Sequence, residues 1–348
     1  MPDLKKILII RFSSLGDVIL ASPLIRTLRA AYPNAQIDFL VKSQYADVIR
    51  FNPHLNSVIT LKSSDRKELC FLKKMIRHTG YDFIIDIHNS LRSRWIRWGA
   101  GAVHVKIIRK RIFKRLLYVL FGLNFYGNVT SVAERYIETV RKFGVRDDGG
   151  GLEIFVPEET KSTVNAIIGK FKPEQFEIIF GFGPTARHYT KRWLPERFVE
   201  LGVELSKRYR CKIFIFGGKE DIDYCSDIAQ MINAHAGYSC AENLAGRLTL
   251  IETSAALDFC GLIVSNDTAL MHLATARKKK IVAIFGSSVK EFGFSPYRTS
   301  NIVLERNDVK CRPCSHIGRD RCPKKHFRCM KEIQVKDVVN AVEELLQK

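Results

Sequence analysis

The 348-residue sequence has no uncharged apolar run of the roughly 18–20 residues that a membrane-spanning helix needs. Its start, MPDLKKILII, also lacks the long apolar core and small-residue cleavage site of a secretory signal. We therefore expect a cytoplasmic protein. A composition of 46% hydrophobic and 26% charged residues excludes a disordered chain. At about 100–200 residues per domain, the length favours two domains.

Acidic residues are missing from one long segment. Residues 87–133 contain nine Lys or Arg and no Asp or Glu, and residues 306–331 contain nine basic residues against two acidic ones. These two segments hold sixteen of the net twenty positive charges, so the charge marks particular sites. A nucleic-acid-binding protein is one hypothesis for such a chain. That function predicts aromatic side chains between the basic ones or a recognition helix, and gives the strand-end motifs described below no role.

The glycine pattern GxGxxG of dinucleotide-binding loops is absent after the first strand, which argues against an NAD-dependent enzyme. That strand is KKILII, followed by the loop RFSSLGD, a helix over VILASPLIRTLRAAYP and the strand QIDFLV. This order predicts a βαβ unit. VITL and YDFIIDI are predicted as later strands, and residues 90–145 as a helix-rich basic stretch.

The second half repeats the alternation. FEIIFGFG, KIFIFGG, GLIVSND and KIVAIFGS are apolar runs that end in Gly, Ser or Asp, with helical segments near 195–209, 221–236, 249–258 and 268–276. We predict an α/β protein with two Rossmann-like, doubly wound parallel sheets and a ligand cleft at their strand ends. The predicted boundaries are 1–165 and 172–332, followed by an amphipathic helix over 333–348.

The loop after the first strand carries Asp17. A carboxylate at the carboxyl end of a strand can serve as a general base. The alternative is a structural acid, because Asp near a helix start is favoured by capping and by the helix dipole.

A second candidate is the glycine-rich turn 181–187, which is followed by Lys191. Its N–H groups and the hydroxyl of Thr185 suit an anion, and Lys191 adds a mobile charge for phosphate oxygens. A solvated loop fits the same pattern equally well.

The third candidate opens a helix after the strand GLIVS. Asp267 and Thr268 would cap this helix, and its first free N–H groups predict a diphosphate site. His272 is either a ligand contact or a hydrogen-bonded core histidine. Glu220, at the end of another strand, is either a ribose contact or a first-turn acid.

Together these motifs resemble glycosyltransferase family 9, the ADP-heptose:lipopolysaccharide heptosyltransferases, and most of all the second-heptose type. The resemblance rests on RFSSLGDVILASPLIRTLRAAYP, TARHYTKRWLPERF and SNDTALMHLA, in that order, and runs over essentially the whole chain. It implies the GT-B fold and a metal-independent, inverting transfer of heptose from ADP-L-glycero-D-manno-heptose to the lipopolysaccharide inner core. Another nucleotide sugar as donor is the alternative within this class.

The resemblance also implies roles for single residues. Asp17 becomes the base, and Lys191 neutralises the leaving diphosphate. The donor contacts implied are Thr185, Ala186, Lys191, Glu220, Leu248, Asp267, Thr268, Ala269 and His272. Family members often carry a hydroxyl residue or Gly at the positions of Ala186 and Ala269, so contacts there would rest on backbone atoms. No cofactor is implied, and the chain is expected to be a monomer.

For the acceptor, a phosphorylated and Kdo-bearing lipid, the expected contacts are Ser14, Gly16, Arg92 and Arg94. Apolar residues from Ile107 to Leu120 recur at three- and four-residue steps between Lys and Arg. This spacing predicts a basic amphipathic helix, which either lies on the anionic inner face of the cytoplasmic membrane or packs into the core with a solvated basic face.

Nine cysteines are present, and five of them are scattered and predicted to be small buried apolar residues. The other four, Cys311, Cys314, Cys322 and Cys329, lie within nineteen residues among basic side chains that we expect to lower their pKa values. Structural zinc, disulfides and reduced thiols all fit this cluster, although its spacing is not the paired CxxC…CxxC of a strong zinc motif.

Overall fold

The computed structural model describes residues 2–347 and divides the chain into two compact units. The first unit comprises the chain up to Lys110 together with Ser131–Phe155, and the second comprises Arg111–Thr130 and the chain from Val156 onward. The sequence predicted two domains that are each continuous in the chain, 1–165 and 172–332. The structure instead assigns 111–130 to the second unit, because Tyr118 and Val119 pack against an apolar cluster that contains Phe292.

The first unit is built on a five-stranded sheet in the order β3-β2-β1-β4-β5, with every neighbouring pair parallel. The central strand β1 is a continuous apolar run whose last four residues are buried, as expected for a strand covered on both faces. The strands are Lys6–Ile10 (β1), Gln36–Lys42 (β2), Ser57–Leu61 (β3), Phe83–Asp86 (β4) and His104–Ile107 (β5).

The second unit is built on a six-stranded parallel sheet in the order β11-β10-β9-β6-β7-β8. Its strands are Ile178–Gly183 (β6), Cys211–Ile215 (β7), Ala241–Asn243 (β8), Leu262–Asn266 (β9), Lys280–Phe285 (β10) and Asn301–Glu305 (β11). Both sheets are therefore parallel and alternate with helices, as predicted.

Helices α1–α7 are Leu15–Ile19, Ser22–Ala31, Asp47–Arg50, Arg66–Thr79, Leu91–Arg97, Ile112–Phe121 and Val132–Glu138. Helices α8–α14 are Glu158–Gly169, Pro195–Arg208, Ile222–Ala236, Leu250–Ala256, Ala269–Ala276, Arg328–Lys331 and Val335–Gln347. The helix predicted after the first loop is interrupted at 20–21 and resumes as α2, with Pro23 in the first turn where proline is tolerated.

The predicted C-terminal amphipathic helix is present as α14, and it belongs to the second unit. Val338, Val342 and Leu345 of α14 are buried in the same apolar cluster as Trp193 and Phe198, and α14 packs against α9, β10 and β11. Between residues 2 and 347, no helix has the length and apolar character needed to cross a membrane.

Candidate functional site

Each sheet has a point where the strand order reverses, and ligands of open α/β sheets bind outside the carboxyl ends of the strands at such a point. In the first unit it lies between β1 and β4, and in the second between β6 and β9. Asp17 follows β1, Arg92 and Arg94 follow β4, Thr185 follows β6 and Asp267 follows β9.

Asp17 is held by hydrogen bonds from three side chains. Its Oδ2 accepts from the Arg11 guanidinium at 2.7 Å, from the Ser14 hydroxyl at 2.7 Å and from the Ser14 N–H at 3.1 Å. Its Oδ1 accepts from the Tyr136 hydroxyl at 3.2 Å. The side chain is 14% exposed, so solvent still reaches it. The sequence placed Arg11 and Ser14 beside Asp17, but Tyr136 comes from α7.

This environment keeps Asp17 ionised. Burial acts to raise its pKa, but the Arg11 charge and the Ser14 hydrogen bonds outweigh burial and hold the pKa below the ordinary value. Burial raises the pKa of Tyr136, so its hydroxyl remains a donor. Asp17 is consequently a fixed carboxylate, and its low pKa limits its strength as a base.

The expected acceptor residues also lie beyond the carboxyl ends of β1 and β4. Ser14 is exposed, but its hydroxyl donates a hydrogen bond to Asp17. Gly16 is half-buried. Arg92 donates to the Ser64 hydroxyl, and Arg94 is exposed on α5. Arg97, on the same helix, instead bonds the fully buried Asp86 at 3.0 Å and is structural.

His88 also lies at the carboxyl ends of these strands, and sequence reasoning missed it. It follows β4, and its ring lies 4.8 Å from that of Phe12. Burial and the nearby Arg11 and Lys110 charges lower the pKa of His88 to about 3, so the ring is neutral at physiological pH. Its Nδ1 is buried without a hydrogen-bond partner. The local signal was a histidine two residues after a strand, at the reversal point.

In the second unit, Lys191 and Asp267 form an ion pair at 2.6 Å, with side chains 16% and 7% exposed. The Ser288 hydroxyl, just after β10, also donates to Asp267. Burial acts to raise the pKa of Asp267, but the Lys191 charge and these hydrogen bonds hold it below the ordinary value. The predicted residues 191 and 267 are thus brought together, and Ser288 is an unpredicted third member.

Helix α12 begins at Ala269, two residues after Asp267, with Thr268 as its N-cap residue in an extended conformation. The N–H groups of its first turn have no acceptor within the helix. Thr268 and Ala269 are half-buried, whereas His272 is buried one turn further on. Gly183 permits this close approach, because a Cβ there would lie 2.5 Å from Leu270.

The loop after β6 is anchored by Asn266. Its side-chain amide donates to the Pro184 carbonyl at 2.8 Å and accepts from the Trp193 N–H at 3.0 Å. The Ala186 carbonyl accepts from Arg192 at 2.6 Å, and Ala186 itself is buried. Thr185 is half-buried between these anchored positions, so it has a defined place at the strand end.

Glu220 and Leu248 extend the site along the sheet. Glu220 is exposed in the turn after β7, and its carboxylate folds towards Gly218. Leu248 is half-buried after β8, just before the N-cap of α11 at Thr249. The expected donor residues therefore follow β9, β6, β7 and β8, which are four neighbouring strands.

The basic segment 306–331 is partly structural. Arg312 is buried, forms an ion pair with Glu305 at 2.9 Å and donates to the carbonyls of Gly286 and Ser288. The Thr190 N–H, next to Lys191, donates to the Arg319 carbonyl, and the Arg319 N–H donates to the Thr190 hydroxyl. The Arg312 guanidinium thus holds the loop that carries Ser288, whereas Arg319 holds the loop of Lys191 through its backbone atoms.

The thiols differ from the expected pattern. All nine cysteines are free, four of the five scattered ones are buried and Cys70 is half-buried. Burial raises the pKa of Cys314 and raises that of Cys329 to about 12, so the expected lowering by basic neighbours is wrong for both.

The metal alternative for this cluster finds no support in the geometry. Across residues 2–347, no three His, Cys, Asp or Glu side chains are arranged to hold a metal ion.

A groove of about 850 Å³ lies between α9, α10 and α14. Its lining includes Glu200, Glu204, Lys207 and His235, and it contains none of the expected donor residues. We therefore place the candidate site at the strand ends and not in this groove.

A family model described as glycosyltransferase family 9 (heptosyltransferase) matches residues 70–325. The chain is similar to lipooligosaccharide heptosyltransferase 2 of Campylobacter jejuni subsp. jejuni serotype O:2, with 28% identity and 96% of each chain covered. Among solved structures it is similar to a family 9 glycosyl transferase from Veillonella parvula, with TM-score 0.81, 23% identity and 100% and 98% of the two chains covered. It is also similar to the ADP-heptose lipopolysaccharide heptosyltransferase II of Escherichia coli, with TM-score 0.75, 25% identity and 98% of each chain covered.

Proposed function

Because the chain belongs to glycosyltransferase family 9, the heptosyltransferases, we propose that it transfers heptose from ADP-L-glycero-D-manno-heptose to the lipopolysaccharide inner core, with inversion. The predicted family, its GT-B fold and the glycosyltransferase class are confirmed. Donor, acceptor and stereochemistry are the parts that we propose.

The observation that carries the donor proposal is the order of residues along the second sheet. Asp267, Thr185, Glu220 and Leu248 follow β9, β6, β7 and β8, which are consecutive neighbours. At about 4.8 Å per strand, these ends span roughly 15 Å. Sugar, diphosphate, ribose and adenine follow one another in the same order in an ADP-sugar, so the order of the strand ends matches the order of the donor's parts.

The charged groups at these strand ends suit different parts of the donor. Lys191 is a mobile point charge suited to the diphosphate, and the first N–H groups of α12 suit the same oxygens. Asp267 would repel phosphate and so suits the sugar hydroxyls. His272 is the remaining sugar contact, Ala186 and Ala269 contribute backbone atoms, Glu220 accepts from the ribose and Leu248 packs on the adenine.

In the proposed step, Asp17 takes the proton of an acceptor hydroxyl. The acceptor oxygen forms a bond to the anomeric carbon while the bond from that carbon to the diphosphate oxygen breaks. ADP leaves with the electron pair, and its charge is stabilised by Lys191 and by the N–H groups at the start of α12. These groups supply the charge stabilisation, so the proposal includes no metal or other cofactor.

Ser14, Gly16, Arg92 and Arg94 are the proposed acceptor contacts. Arginine suits the carboxylates and phosphates of an acidic glycolipid, because its planar fork binds such groups through two hydrogen bonds. We place the reaction at the cytoplasmic face of the membrane that holds this lipid, with the enzyme acting as a monomer.

Two measurements test the function. Thermal unfolding with ADP, UDP, GDP and their sugars should show the largest rise in melting temperature with ADP-heptose. NMR of the product should then show an anomeric configuration opposite to that of the donor. A preference for another nucleotide would replace the donor, and a retained configuration would exclude the single displacement.

A further inference from the structure

Exposed large apolar side chains are concentrated in one part of the chain. Of the twenty found between residues 2 and 347, thirteen lie between Leu91 and Val129. This stretch lies within the segment that contains nine basic residues and no acidic ones. Single exposed apolar residues are ordinary, whereas a group of them marks a binding surface.

The concentration is highest in and just after α6. The helix has no buried residue, and Phe113 is 82% exposed. We call residues 112–125 the α6 patch. Its exposed apolar side chains are Ile112, Phe113, Leu116, Leu120, Phe121, Leu123 and Phe125.

The other side of α6 is already covered. The Tyr118 ring lies 6.2 Å from that of Phe292 and 6.3 Å from that of Tyr126, and Val119 packs on the same cluster. One side therefore attaches the helix to the second unit. The apolar side chains on the outer side of α6 take no part in this packing. We therefore expect them to contact a different partner.

Charge indicates which partner. Arg109, Lys110 and Lys114 are exposed immediately before and within α6. A second copy would bring the same basic surface against itself in a two-fold interface, which like charges disfavour. A surface that is anionic outside and apolar just beneath satisfies both features, and this describes a bilayer with anionic lipids.

We infer that the α6 patch docks in the plane of a bilayer containing anionic phospholipid. Its apolar side chains enter the boundary between headgroups and acyl chains, and its basic neighbours contact the phosphates. At about 1.5 Å per residue the ten-residue helix is roughly 15 Å long, which suits lying in the interface. The inference rests on the proposed function insofar as a lipid acceptor would explain why the enzyme docks there.

The experiment is cosedimentation of the full chain with vesicles of phosphatidylethanolamine and phosphatidylglycerol, compared with vesicles of phosphatidylcholine. Phe113→Ser/Leu120→Ser should lower partitioning to the anionic vesicles by about tenfold or more. Phe71→Ser is the matched control, because Phe71 is also an exposed phenylalanine, at 62%, but lies outside the patch. It should partition like the wild type.

A second variant tests the charge. Lys114→Glu should weaken binding to anionic vesicles by about fivefold or more and leave phosphatidylcholine binding unaffected. Unchanged melting temperatures show that both variants are folded. Wild-type partitioning by the apolar variant would overturn the inference. So would a wild-type dimer that this variant converts to a monomer, since the patch would then be a self-interface.

Transfer to a delipidated, water-soluble acceptor separates this inference from the proposed function. The patch variants should keep full activity in that assay. If the wild type binds vesicles but transfers no heptose to any acceptor, the proposed function fails and the docking surface stands. If transfer proceeds and the variants still bind vesicles normally, only the docking inference fails.

Discussion

The two units each place one carboxylate against one basic side chain at the carboxyl end of a strand inside the sheet, but the two carboxylates differ in the hydrogen bonds that hold them. Asp17 is fixed by the Arg11 guanidinium, two Ser14 donors and the Tyr136 hydroxyl. Asp267 is paired with the Lys191 ammonium and receives one further hydroxyl bond from Ser288. Burial penalises both charges, and both pKa values are nevertheless lowered.

The difference shows how similar pairs suit different tasks. Arg11 donates one guanidinium nitrogen to Asp17 and another to the Ile87 carbonyl, so the guanidinium is itself anchored and Asp17 keeps one orientation. Lysine is a single rotatable charge that can turn from a carboxylate to a phosphate when a nucleotide arrives. We therefore expect the first pair to persist throughout the reaction and the second to exchange partners.

The largest expected effect comes from Asp17→Asn, which keeps the shape and removes the charge. Steady-state kinetics should show transfer reduced by roughly 10²–10⁴-fold, the usual worth of a general base. ADP affinity, measured by calorimetry, should stay within a few fold.

Asp38→Asn is the matched control, because Asp38 is another buried carboxylate of the first unit and accepts from Tyr81 at 2.6 Å. It should lower stability but leave turnover nearly intact. Appreciable turnover by the Asp17 variant would remove this residue as the base.

Lys191→Ala should have the next largest effect. Loss of the exchangeable charge should weaken ADP-heptose binding and turnover together, by about two orders of magnitude in kcat/KM. Lys191→Arg should restore only part, because a guanidinium cannot copy a compact point charge.

Lys212 provides the control for this second change. It is also buried and paired with a carboxylate, Glu242, at 3.0 Å, but it lies in β7 and not at the strand ends. Lys212→Ala should lower the melting temperature and leave donor affinity unchanged. Equal kinetic losses in both variants would mean that the Lys191 effect is structural.

Tyr136→Phe should have a smaller effect, about three- to tenfold on kcat. The change removes the hydrogen bond to Asp17 Oδ1, so the carboxylate is held less firmly. Since that bond favours the ionised form, its loss should raise the pKa of Asp17 and move the acidic limb of the kcat/KM profile to higher pH. A lower kcat with an unmoved limb would indicate that Tyr136 only supports packing.

The smallest expected effect is the pH dependence of the wild-type activity near neutral pH. Both carboxylates have lowered pKa values, so the acidic limb should lie below about pH 4, the ordinary Asp value. The stability they contribute is present above that pH and is lost as the pH falls through the folded-state pKa values. His88, with a pKa of about 3, should add no limb between pH 6 and 7. A limb in that range would contradict its neutrality.

The strands that sequence reasoning missed share one property. β5, β8 and β11 are all at sheet edges, and none is a long apolar run. Burial on both faces produces the continuous apolar pattern, so central strands are visible in the sequence and edge strands are weakly so. The predicted basic helix, from Ile107 to Leu120, started too early because the edge strand β5 was not recognised. Ile107 belongs to β5, and α6 begins only at Ile112.

The sequence by itself determined two parallel sheets, the strand ends that carry Asp17, Thr185, Glu220 and Asp267, and the segment that concentrates basic charge. Apolar runs, turn residues and helix starts depend on neighbours within a few positions, and such patterns can be recognised in a sequence. Only the tertiary structure decided which residues meet. It paired Tyr136 with Asp17 and Lys191 with Asp267, buried Arg312 beneath Ser288, and attached α6 to the second unit with its apolar side outward. These contacts join residues far apart in the chain, and their strength depends on burial and geometry that no local pattern encodes.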